Sequence, residues 1–135
     1  MNKVIFMFSV LFSVLFSANS LAADNVFYID RSVPANVDIQ FVNNHDIQPD
    51  KSDFEVVNYI VMSNEDGERK AVVTLRNSAS GERIFESSQL HALFADGKQR
   101  APSAYKQIFA QGELISMTLS FGHRLLPILQ IFTRQ

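Results

Sequence analysis

The sequence predicts an all-β fold, an antiparallel sandwich of seven or eight strands. Three observations predict it. Hydrophobicity alternates with a period close to two along most of the chain. Glycine turns separate the alternating runs: Asp66-Gly67, Ser80-Gly81, Asp96-Gly97 and Gln111-Gly112. No segment after the first two dozen residues carries a helical repeat; the best candidate, "SAYKQIFA" at 103–110, would make a turn or two at most.

The chain opens with something else. Met1-Asn2-Lys3 gives a short basic end, followed by an uncharged apolar run, Val4 to Phe16. Then comes "SANSLAAD", with Ser20 and Ala22 at the small-residue positions that signal peptidase requires. This is the pattern of a secretory signal peptide, residues 1–22, cleaved after Ala22. The run is shorter than the ~20 residues needed to span a bilayer, so no stable membrane span is expected after cleavage. Removing it from the 135-residue chain leaves 113, residues 23–135, which is the size of a single domain with its own core.

Composition narrows the chemistry. The chain has no cysteine, which excludes disulfides, thiolate catalysis, cysteine zinc sites and a lipid-anchored N-terminus. A cysteine-free exported domain of this size is expected in the bacterial periplasm or secreted fraction. Lys3 is the only charge lost with the signal, leaving 11 basic against 14 acidic side chains. No basic stripe exists, so nucleic acid is not an expected partner.

The strands follow in order. "NVFYID" places Phe27 and Ile29 on one side, and "VDIQFV" does the same for Val37, Ile39 and Phe41. The polar loop 43–53 comes next. "DFEVVNYIVMS" sets Phe54, Val56, Ile60 and Met62 against Val57, Tyr59 and Val61. In "AVVTLRN", Ala71, Val73 and Leu75 share a face; in "QLHALFA", Leu90, Ala92 and Phe94 do, with His91 pointing outward. "LISMTLSF" aligns Ile115, Met117, Leu119 and Phe121, and "PILQIFT" ends the chain. Val73, Leu75, Phe94, Met117, Leu119 and Phe121 are the expected inter-sheet core.

From residue 53 to 133 the punctuation has a recognisable order. A strand ends in Asn77 and a short polar turn follows. A further strand runs into the Asp96-Gly97-Lys98 hairpin. A crossover holding Pro102 then leads to Gly112-Glu113 and the long alternating strand 114–121. This order resembles small secreted bacterial immunoglobulin-like domains of unknown function. The resemblance implies an immunoglobulin-like sandwich and no particular activity.

The candidate chemistries are thin. His45, His91 and His123 fall at no ligand spacing, and no H-E-x-x-H motif occurs. His45-Asp46 with Asp50 and Asp53, and Asn64, Asp66 with Gly67, match no calcium loop and read as solvated polar turns. Met62 and Met117 sit at core-directed positions, which suits packing better than copper capture. Ser78, Ser80, Ser87 and Ser88 lack a nucleophile elbow, and Glu65 and Asp66 lie in a turn with no apolar wall. No cofactor, metal or catalytic residue is therefore expected.

The expected function is that of an exported, non-catalytic binding or interaction module whose partner is an envelope or secreted protein. The alternative is a periplasmic carrier of a metal or small ligand, and the third reading is a hydrolase without a recognisable motif. One surface is nominated. The strand 54–62 is apolar on both faces, so Val57, Tyr59 and Val61 need a cover. It would be either the segment 24–42 folded over the sheet, or a partner protein or second copy with Tyr59 as its anchor.

Overall fold

The structure, a computed structural model, describes residues 25–34 and 48–135. The expected signal peptide, the predicted strand at 37–42 and the pair His45-Asp46 lie outside the described residues. Within them the fold is all-β, an antiparallel β-sandwich. Nine strands are present among the described residues: β1 (Tyr28–Pro34), β2 (Phe54–Ser63), β3 (Glu68–Asn77), β4 (Arg83–Glu86), β5 (Leu90–Phe94), β6 (Gln99–Arg100), β7 (Lys106–Phe109), β8 (Leu114–His123) and β9 (Ile128–Thr133). That exceeds the predicted seven or eight. The additions are β4, β6 and β7, which at two to four residues are too short for alternation to register in the sequence. The segment weighed as a helical turn, 103–110, contributes β7 instead.

One sheet has the order β1-β2-β3-β8; opposite it lie β6-β5-β9 and the pair β4-β7. Their inner faces meet because each strand must remove its apolar side from water. Val73, Leu75, Phe94, Met117, Leu119 and Phe121 are all buried in one cluster, as the alternation predicts. Phe54, Phe85 and Phe109 form its aromatic end, with Phe54 centred 5.4 Å from Phe85 and 5.0 Å from Phe109 in edge-on and tilted geometries. Asn77 is also fully buried, which is tolerable only because its side chain is satisfied. Its amide donates to the carbonyls of Gly81 (2.8 Å) and Ala110 (3.0 Å), and its oxygen accepts from the Ala79 N–H (3.0 Å). The asparagine that closes the strand thus ties together two connections at one end of the sandwich.

Strand β2 does not keep a single period. Val56 pairs with Leu75 and Asn58 with Thr74, leaving Val57 as an extra residue with no partner on β3. Such a bulge shifts the alternation by one. Before it, Phe54 and Val56 face the core; after it, Tyr59 and Val61 do. Ile60 and Met62 are turned to the other face and are only partly covered. The expected grouping of Ile60 and Met62 with Phe54 and Val56 is therefore corrected, and so is the core assignment of Met62. Strand β1 pairs edge-on with β2 and does not fold over it. Its Arg31 reaches across to β9, donating to the carbonyls of Ile128 (3.1 Å) and Leu129.

Candidate functional site

The nominated surface does not exist as a surface. Tyr59 and Val61 are each 1% exposed within the inter-sheet core, and only Val57 remains partly open. Their cover is the opposite sheet; β1, the part of 24–42 that lies among the described residues, pairs beside β2 instead. The Tyr59 hydroxyl is buried against the Ile131 backbone and makes no hydrogen bond of ordinary geometry. Burial raises the phenol above its ordinary value of 10.0, a shift opposed by the Ile131 backbone and by the nearby Arg31 guanidinium.

The histidines separate as well. His91 lies opposite Leu90 and Ala92 on β5, as expected, but is buried and stacks edge-on to Phe132 instead of meeting water. His123 is exposed at the end of β8. Asp53 is engaged by Arg83 at 3.0 Å, 30 positions along the chain. Among the described residues no three His, Cys, Asp or Glu side chains converge as a metal site would require, and no helix is long and apolar enough to cross a membrane.

What the topology does assemble is a cluster of connections at one end of the sandwich. Register fixes it. Glu68 pairs with His123 and Phe94 with Ile128, so three connections emerge side by side: the β2–β3 turn at 64–67, the β5–β6 turn at 95–98 and the β8–β9 connection at 124–127. Tyr28 pairs with Ser63, bringing the start of β1 to the same end. A second bulge aims the third connection. Between Ser120 and His123, β8 carries two residues against the single Arg69 of β3, and Gly122 takes a φ of 71° there. That left-handed conformation is open to glycine without strain.

Arg69 holds this connection in place. Its guanidinium donates to the carbonyls of Arg124 (3.1 Å) and Leu125 (3.2 Å) and pairs with Asp30 at 3.5 Å. Two backbone bonds add to it, Arg124 N–H to Gly67 (2.9 Å) and Ala95 N–H to Pro127 (3.1 Å). The tied loop nevertheless presents Leu125 at 97% exposure, with Leu126 beside it at 42%. A tethered loop that spends its most exposed position on leucine is unusual, because turn positions ordinarily carry polar residues.

Leu125 divides two clefts. On one side, a hollow of about 350 Å³ is lined by Phe94, Asp96, Lys98, Arg100, Arg124 and Leu126. On the other, a hollow of about 420 Å³ is lined by the turn 64–67 with Arg69 and Arg124. The first is basic. Among the described residues the Arg100 and Arg124 guanidinium groups donate to the carbonyls of their preceding residues, and Lys98 stands 3.8 Å from Asp96. The second carries the exposed carboxylates of Glu65 and Asp66, which are paired with no cation among the described residues. Sequence reasoning read 64–67 and 95–98 only as turns and passed over the connection between them. The signal was "RLLP", two leucines placed where a polar connection belongs. Compared with protein-family models, curated proteins and solved structures, the chain matches none.

Proposed function

We propose that this is an exported, non-catalytic interaction module of the bacterial envelope or secreted fraction. Its recognition surface on this reading is the connection-bearing end of the sandwich. One observation carries it: Leu125 is held almost wholly in water by a loop that Arg69 fastens from beneath. A pre-ordered apolar side chain ringed by charge is the composition of an interface centre with a polar rim, and its rigidity lowers the entropy lost on docking. The N-terminal pattern supports export. The crossing of the chain between the two sheets, at β3–β4, β7–β8 and β8–β9, supports the immunoglobulin-like assignment.

The test is a photo-crosslinking residue at position 125 in the chain expressed with its own N-terminus, combined with N-terminal sequencing of the periplasmic product. The expected results are an N-terminus at Ala23 and a discrete cross-linked adduct at 125 that a crosslinker at Ser116, on the β8 face, does not give. Retention of residues 1–22, or no adduct at 125, contradicts the corresponding half of the proposal.

A second reading, a carrier of a small anionic ligand, is favoured by the basic cleft, whose volume lies at the lower end of ligand pockets. It predicts a small molecule that stays with the protein in native mass spectrometry and is lost on Arg100→Glu.

A further inference from the structure

We infer that the partner of this end is a second copy of the same chain, docked about a two-fold axis that runs along the Leu125 ridge. The inference rests on the reading of this end as the recognition surface and goes further by naming its occupant.

The argument is one of charge arrangement. Glu65 and Asp66 stand on one side of the ridge; Lys98 and Arg100 stand on the other. Arg124 lines both sides; Glu65 and Asp66 on one and Lys98 and Arg100 on the other are opposite in sign and exposed. Glu65, Asp66 and Arg100 have no ion-pair partner among the described residues, and Lys98 has only the exposed Asp96 at 3.8 Å. Of the two arginines that line the acidic side, Arg69 is already committed to Asp30 and to the carbonyls of the loop, and the exposed Arg124 is shared with the basic side.

A two-fold rotation about an axis along the ridge exchanges left and right. It brings each copy's Glu65-Asp66 turn against the other copy's Lys98 and Arg100, and packs Leu125 against Leu125 at the centre. An isologous contact requires this self-complementarity, in which residue i meets j and j meets i. A surface built for a basic or an acidic foreign partner would carry one sign across the ridge. Here like charges are kept apart by the apolar strip, and the strip is what two copies would bury. The start of β1 adds apolar area on the acidic side, where Tyr28 and Ile29 are exposed. A patch formed from three connections lies at the low end of interface sizes, so the dimer is weak and reversible.

The experiment is sedimentation velocity on the chain as exported, from about 10 μM to about 1 mM, the range in which a small interface associates. The wild type is expected to pass from monomer to dimer, with weaker association at about 0.5 M salt than at about 0.05 M because the rim pairs are exposed. The double variants Glu65→Lys with Asp66→Lys, and Lys98→Glu with Arg100→Glu, are each expected to stay monomeric while melting as wild type. Mixed one to one, they should recover the dimer. A wild type that is monomeric throughout overturns the inference, as does association that strengthens with salt or a variant pair that fails to associate on mixing. The crosslinker at 125 separates this from the reading beneath it. An adduct with a different protein and a monomeric purified chain leaves the surface standing and overturns the second copy. No adduct overturns both.

Discussion

Val56 and Tyr59 are three positions apart on one strand and point into the same core. A regular strand cannot do this, since residues at odd separation leave opposite faces. The bulge at Val57 makes it so, and it accounts for the strand that reads as apolar on both sides. The apolar residues belong to one inner face, read in two phases.

The buried phenol gives a pH dependence. The folded Tyr59 holds its proton more tightly than the unfolded chain does. This contribution is intact below about pH 10 and is lost as pH rises from the unfolded value through the raised folded one. Tyr59→Phe should melt within about 1 kcal/mol of wild type at pH 7, because the hydroxyl makes no ordinary hydrogen bond. It should also remove part of the stability lost as pH rises above the ordinary phenol value of 10.0. Thermal melts against pH check this; an unchanged alkaline slope in the variant contradicts it.

Asn77 is the tie at the opposite end. Replacing it with Ala removes three part-buried hydrogen bonds made by its side chain, so the loss expected is about 2–4 kcal/mol, the sum of several bonds. Urea unfolding measures it. A midpoint equal to wild type would mean that water replaces the side chain without penalty.

Two glycines that look alike in sequence should respond differently. Gly122 has a φ of 71° with open space around an added Cβ, so Gly122→Ala should lose about 1–2 kcal/mol from backbone strain alone. Gly81 is not in the left-handed region, and Gly81→Ala should be neutral or slightly stabilising. Comparison of the two melts decides whether the bulge at the end of β8 is as described.

Arg69→Ala should release the β8–β9 connection from the β2–β3 turn. The expected signature is local: amide exchange at Arg124 rises at least tenfold with a global loss of about 1–3 kcal/mol, the range for hydrogen bonds from a charged donor. Protection unchanged at Arg124 would show that the backbone bond to Gly67 suffices.

Much of the fold is legible in the sequence wherever period two runs unbroken. Met117, Leu119 and Phe121 on β8 and Ala71, Val73 and Leu75 on β3 are core residues that alternation alone identifies. It fails at Val57, because a bulge has no composition signal in this strand, and at β4, β6 and β7, which are too short to show a period. The nominated surface failed for the first reason: carrying the phase of Phe54 and Val56 past residue 57 turned Tyr59 and Val61 outward. The end cluster was illegible for another reason. Residues 64–67, 95–98 and 124–127 are brought together by the pairings of Glu68 with His123 and Phe94 with Ile128, which are long-range in sequence.

The account places Tyr59 in the core and recognition at Leu125, and one paired measurement tests both. Tyr59→Asp and Leu125→Asp are each followed by thermal melt and by sedimentation. The account predicts that Tyr59→Asp loses about 3–5 kcal/mol or fails to fold, by burying an unpaired carboxylate in place of a packed ring. Leu125→Asp should melt as wild type and no longer associate. The reverse pattern, a Tyr59→Asp chain that melts normally without associating beside a Leu125→Asp chain that still associates, would contradict both assignments.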